Sequence, residues 1–178
     1  MVRDSAGRRF ILTAAHVVAG AEAILARTSN PDEHAVATVL LALDPVNDLA
    51  LLGTELALPA AELGNLDDGQ RGIAIVFRGG TATPLPFRVV NRAVVNIDDI
   101  YGENTISRSG YRVEIELQPG DSGAVMVDAD GSAAGVLYSK SRTVAGNAFA
   151  TDTSTLGDLM RDAAIADPIR GIDSGECP

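Results

Sequence analysis

Gln118-Pro119-Gly120-Asp121-Ser122-Gly123 runs straight into the apolar stretch Ala124–Val127, the polar Asp128-Ala129-Asp130-Gly131-Ser132, and a second apolar stretch, Ala133–Tyr138. Two apolar runs around an Asp-Gly turn read as a β-hairpin. A serine between glycines at the entrance to that hairpin is exposed, and the backbone there can bend until consecutive N–H groups point at one spot. Acyl transfer needs this pairing of an attacking hydroxyl with main-chain donors that hold the developing oxyanion. Taken alone, the segment reads equally well as an ordinary glycine-rich turn. Asp128–Gly131 has the opening of a calcium loop but lacks the later ligands, so the hairpin turn is the better reading.

On either side of the hairpin the chain keeps the rhythm of short strands. Phe10–Thr13, Ile24–Arg27, Ala35–Leu43, Leu49–Gly53, Phe87–Ile97, Tyr111–Leu117 and Ala148–Thr151 read as strands, and Gly72–Phe77 is apolar enough to be a buried one. In Tyr111–Leu117 the alternation is clean, with Val113, Ile115 and Leu117 on one face and Arg112, Glu114 and Glu116 on the other. Leu156, Leu159, Met160 and Ala163 then recur at helical spacing, with Thr153 or Ser154 as N-cap. Many short strands and one terminal helix predict an all-β domain, a barrel pair or a sandwich. The Gly-, Thr- and Pro-rich stretch Arg78–Pro86 is the expected junction between two halves. This gives residues 1–79, 80–152, a helix over 153–166 and a tail over 167–178.

Composition narrows the function. The 178 residues carry 14 Lys+Arg against 24 Asp+Glu, a net charge of -10, too few cations for a phosphate-binding face. Apolar residues are 46% of the chain, enough for a packed core, yet no run approaches the roughly 20 residues of a bilayer span. Cys177 is the one cysteine, which excludes an internal disulfide and a cysteine-based zinc site. Met1–Ala6 lacks the pattern of a signal peptide, so the expectation is either a cytoplasmic protein or further sequence upstream.

Two other segments complete a chemical set. Thr13-Ala14-Ala15-His16 puts one of two histidines at a helical turn just after an apolar strand. Asp44-Pro45-Val46-Asn47-Asp48-Leu49-Ala50-Leu51-Leu52 sets a carboxylate at the start of a buried strand, a costly place unless it is hydrogen-bonded. Ser122 then serves as nucleophile, His16 takes its proton, and Asp48 fixes the imidazole tautomer and stabilises its charged form. His34, after Asn30-Pro31, reads as a loop residue, and Asp98-Asp99 as a solvated loop.

In the order His16, Asp48, Ser122, the motifs TAAH, DLALL and PGDSG resemble those of trypsin/chymotrypsin-like serine proteases. Further stretches, AHVVAG, LDPVNDLALL, DDIYG and the terminal DSGEC, are similar to the MarP-type membrane-anchored periplasmic proteases. The resemblance implies two six-stranded-type antiparallel β-barrels followed by the helix, with the first barrel incomplete at its N-terminus. It implies a serine endopeptidase without cofactor or metal, acting on a peptide or protein substrate. Its oxyanion hole would be the N–H groups of Gly120 and Ser122. Substrate backbone would add to the strand Ala148-Phe149-Ala150. Asp121 would be buried and paired, with Arg92 as candidate partner. The resemblance further implies an extracytoplasmic location, an upstream membrane anchor, and a disulfide from Cys177 to a cysteine absent from this chain. Ala124 departs from the family, which has a second glycine there. Glu116, at the position that tunes the first specificity pocket, sits in the polar stripe and is expected to face solvent. An inactive or weakly active peptide-binding module on the same fold is the alternative reading.

Overall fold

The computed structural model describes residues 1–30 and 32–178. Pro31 of the expected Asn30-Pro31 loop therefore lies outside the described residues. The first half forms one antiparallel sheet of β1 (Val2–Arg3), β2 (Arg9–Thr13), β3 (Ile24–Ala26), β4 (Val36–Asp44) and β5 (Leu49–Gly53). Its spatial order is β1-β2-β5-β4-β3, five strands rather than six. Central β5 has neighbours on both edges, and Leu49–Leu52 are buried throughout.

The second half closes into a barrel of β6 (Arg71–Arg78), β7 (Thr81–Asp98), β8 (Thr105–Glu114), β9 (Val125–Val127), β10 (Ala133–Lys140) and β11 (Asn147–Asp152), ordered β10-β11-β8-β7-β6-β9. The expected hairpin is β9–β10, and its turn is held by Asp128 Oδ1, which accepts from the N–H groups of Asp130 and Ser132 at 2.9 and 2.8 Å.

The junction between halves is not at Arg78–Pro86. Residues 81–88 pair with β6 in continuous register, so the boundary moves back to Thr54–Gln70. Pro84 and Pro86 mark the stretch as irregular in sequence, since proline lacks the donor a central strand needs. Both lie where β7 has β6 as its only neighbour, since pairing with β8 begins at Arg88. Within β6 the expected burial also holds on one face only. Ala74 and Val76 point inward, while Ile73, Ile75 and Phe77 stay exposed, because the interior of a small closed barrel takes one face of each strand. The strand expected over Tyr111–Leu117 is the last part of β8, which ends at Glu114.

The linker 54–70 is stitched to both halves. Ala61 pairs with Val2, and Leu63 pairs with Ala133 of β10. After β11, Asp152 caps a short 3₁₀ turn by accepting from Ser154 N at 3.0 Å, and α1 (Leu156–Ile165) follows. The N-cap of α1 itself is Thr155, with no side-chain cap bond, rather than Thr153 or Ser154, which lie in the 3₁₀ turn. Leu156, Leu159 and Met160 pack into the core of the first sheet with Phe10, Leu49 and Leu51, in a cluster that also takes in Ala133 and Val136 of β10. The tail turns back along the same sheet: Ile172 N donates to Leu40 O at 2.8 Å and Gly20 N to Ser174 O at 3.2 Å. Cys177 is exposed and free. Among the described residues no helix is long and apolar enough to cross a membrane.

Candidate active site

β2 ends at Thr13, and the buried Ala14 and Ala15 lead into a single 3₁₀ turn, Ala15–Val17, that presents His16. The small side chains let this turn lie close against the core. Asp48 closes the β4–β5 turn and is 3% exposed. Its Oδ1 accepts from His16 N at 2.9 Å and its Oδ2 lies 2.8 Å from His16 Nδ1. An ionised carboxylate only accepts, so in the neutral imidazole this contact selects the tautomer with the proton on Nδ1 and the lone pair on Nε2.

Asp48 is also the one non-glycine with a left-handed backbone among the described residues, at φ 57°. Such a conformation persists only when its surroundings hold it. Three side chains do so. Asp44 Oδ1 accepts from Val46 N and Asn47 N at 3.0 and 2.9 Å, shaping the turn from within. From the barrel, Thr151 Oγ1 donates to Asn47 O at 2.7 Å and Arg108 Nε to Val46 O at 2.8 Å. Arg108 Nη1 lies 3.6 Å from Asp48 Oδ2, and its guanidinium stands 4.6 Å over the Tyr138 ring. Burial pushes the Tyr138 phenol up, with the Arg108 cation working the other way.

Ser122 sits half-buried on the turn between β8 and β9. Gly123 N donates to Leu137 O and Leu137 N to Ala124 O, so the turn is clamped onto β10. Among the described residues the N–H groups of Gly120 and Ser122 donate to no protein acceptor. Asp121 points inward and accepts from Arg78 Nε at 3.0 Å and from Gln118 N at 2.6 Å. The Arg78 guanidinium, then opposing burial, then the Gln118 N–H decide its state, and together they hold its carboxyl below the ordinary Asp value. The partner is therefore Arg78. Arg92 instead pairs with Asp152 at 2.8 Å, across β7 and β11.

His16 and Asp48 are in direct contact, whereas Ser122 reaches them through neighbours. A Cβ on Gly123 would lie 2.3 Å from Thr13 Oγ1, so the serine turn abuts the strand that delivers His16. Ser122 Oγ donates to Tyr138 O at 3.4 Å, and among the described residues no hydrogen bond joins it to His16. Beside Ser122 is a cavity of about 110 Å³ lined by Leu117, Gln118, Pro119, Tyr138, Ser139 and Lys140. Glu116 lies outside it, exposed and next to Gly146.

Ala148, Phe149 and Ala150 are not at a free edge. β11 is hydrogen-bonded to β8 on one side and β10 on the other, so its backbone has no edge left for an added strand. Phe149 meets the site only through its ring, stacked 6.5 Å from Tyr138. Beyond Leu137, the β10 edge that faces Ser122 has no strand partner among the described residues, because pairing with β9 stops at Val136.

The sequence profile of the trypsin-like peptidase domain matches residues 2–136. The chain belongs to the trypsin-like peptidase family. Among curated members, the serine protease Rv3671c of Mycobacterium tuberculosis is 26% identical over 172 residues, covering 94% of this chain and 42% of that protein. A probable periplasmic serine endoprotease, DegP-like, of Pseudomonas fulva is 29% identical over 157 residues, 84% of this chain and 31% of that one. This trypsin-like chain thus spans less than half the length of either. The crystal structure of the active form of Rv3671c superposes with a TM-score of 0.83 at 23% identity, covering 93% of this chain and 73% of that one. The inactive form gives 0.74 at 22% identity, covering 92% and 81%. At these identities the likeness is one of fold, the chymotrypsin-like pair of β-structures.

Proposed function

We propose that this trypsin-like chain is a serine endopeptidase in which Ser122, His16 and Asp48 form the catalytic triad. The observation that carries the proposal is the pair of hydrogen bonds between Asp48 and His16, one from the backbone N–H and one at Nδ1, which leaves Nε2 open. Ser122 Oγ leaves Tyr138 O and donates to Nε2, a rearrangement of the kind that accompanies substrate binding. Oγ attacks the peptide carbonyl as its proton passes to Nε2. The charge that develops on the carbonyl oxygen is met by the free N–H groups of Gly120 and Ser122. His16 then protonates the leaving amine, and water releases the acyl group by the reverse sequence. Substrate backbone adds along Tyr138–Lys140 of β10, where a strand edge lies open next to Ser122.

A fluorophosphonate probe tests this directly. Labelling is expected in the wild type, absent in Ser122→Ala, and lower by about four orders of magnitude in a folded Asp48→Asn, where the imidazole tautomer is wrong. A folded wild type that does not label would reject catalysis.

A peptide-binding module is the second reading, favoured by the Ser122 hydroxyl resting on Tyr138 O. Peptide binding without labelling would establish it. An extracytoplasmic location rests on the relatives described as periplasmic, and cell fractionation checks it.

A further inference from the structure

We infer that Arg108 is a positioning residue that holds the Asp48 carboxylate, and through it the His16 imidazole, in working orientation from the opposite barrel. The inference rests on the triad reading above.

Arg108 is 2% exposed, a placement arginine adopts only when its surroundings are paid in hydrogen bonds. Here they are not complete. Nε has Val46 O, Nη1 faces Asp48 Oδ2 at 3.6 Å, and Nη2 is buried with no hydrogen-bond partner among the described residues. An apolar side chain of similar volume would avoid that penalty, so burial alone does not account for the cation. Its contacts give another reason. They fall on the left-handed turn of Asp48 and on the face of Tyr138, whose carbonyl accepts from Ser122 Oγ. One guanidinium thereby touches the surroundings of both ends of the triad. It opposes outward rotation of the carboxylate in two ways: it attracts Oδ2, and it ties the Val46 carbonyl two residues before Asp48.

Arg108→Met keeps much of the stem and removes both the charge and the Nε donor. Arg108→Lys keeps the charge and loses the fork that serves Val46 O and Asp48 together. The readouts on the full chain are the maximal rate of fluorophosphonate labelling, the probe concentration giving half of it, and the NMR resonance of the His16 Nδ1 proton, which a carboxylate partner draws far downfield. In Arg108→Met the maximal rate is expected to fall roughly ten- to a hundredfold with the half-saturating concentration within about twofold. The Nδ1 resonance should move or broaden, and Arg108→Lys should recover part of both. A folded Arg108→Met with wild-type rate and an unmoved resonance overturns the inference, as does a loss confined to probe affinity. Should Arg108→Met fail to fold, Arg108→Lys decides alone: an intermediate rate with a shifted resonance supports the role, and wild-type values of both overturn it. A wild type that never labels rejects the triad reading instead, and the Nδ1 resonance still reports whether Arg108 orients the His16–Asp48 pair.

Discussion

Arg78 Nε donates to Asp121 Oδ1 at 3.0 Å, joining the end of β6 to the turn that carries Ser122, 43 residues later. Arg78 also donates to Glu116 O at 3.1 Å, so one side chain braces both the strand end and the turn. Asp121 lies between Gly120 and Ser122, so its anchoring is expected to set the direction of their N–H groups. Arg78→Met is expected to lower the maximal labelling rate by about tenfold or more, with a smaller loss of thermal stability. A variant with full rate would show that the turn holds its shape without the pair.

The same pair sets an acid limit. Asp121 titrates below its ordinary value of 3.8, so its contribution to stability is whole above that pH and is lost as pH falls through the lower folded-state value. Melting temperatures measured from pH 5 downward should drop more steeply in the wild type than in Arg78→Met once below about pH 4. Parallel curves would mean that Asp121 ionisation is not coupled to folding.

Much of this was legible in the sequence, and the failures have physical causes. His16, Asp48 and Ser122 sit at strand ends marked by local signals, and local signals are what a sequence carries. Most strands, the hairpin and the helix are legible for the same reason, whereas β1, the start of β7 over 81–86 and the start of β8 over 105–110 carry no clear apolar pattern. Arg108, Thr151 and Arg78 were missed because each acts on a turn far away along the chain, 62, 104 and 43 residues from its acceptor. Nothing in their own neighbourhoods marks them. Asp44 could have been found, since an Asp that opens a turn followed by Pro and Asn is a known turn former. Arg92 was a plausible partner for Asp121 by charge alone, and only the register of β7 sends it to Asp152.

Gly123 is fixed by both space and backbone. Its φ of +84° disfavours any side chain, and a Cβ would lie 2.3 Å from Thr13 Oγ1. Gly123→Ala is expected to cost about 1–3 kcal/mol and to abolish labelling, because relief of the clash displaces Ser122. Ala124, the departure from the family pattern, is different: it packs against the barrel core, with its N–H on Asp121 O. Ala124→Gly should change labelling far less. Unfolding curves and labelling rates on the two variants give the comparison.

The cavity beside Ser122 holds about 110 Å³ and has no acidic lining residue. Peptides with a small aliphatic residue on the acyl side of the cut should be favoured over those with phenylalanine or arginine. Glu116 lies outside the cavity, so Glu116→Ala should leave that ranking unchanged. A peptide library read by mass spectrometry checks both statements, and a preference for arginine lost in Glu116→Ala would refute them.

The helix that follows the second barrel seals the first sheet, with Leu156, Leu159 and Met160 in the same core as Phe10, Leu49 and Leu51. A nascent chain leaving the ribosome thus exposes the N-terminal hydrophobic surface until residues near 160 have been translated. His16 and Asp48 are synthesised early, but the platform beneath them is finished late. The order of translation thus separates the synthesis of His16 and Asp48 from the completion of the core that supports them.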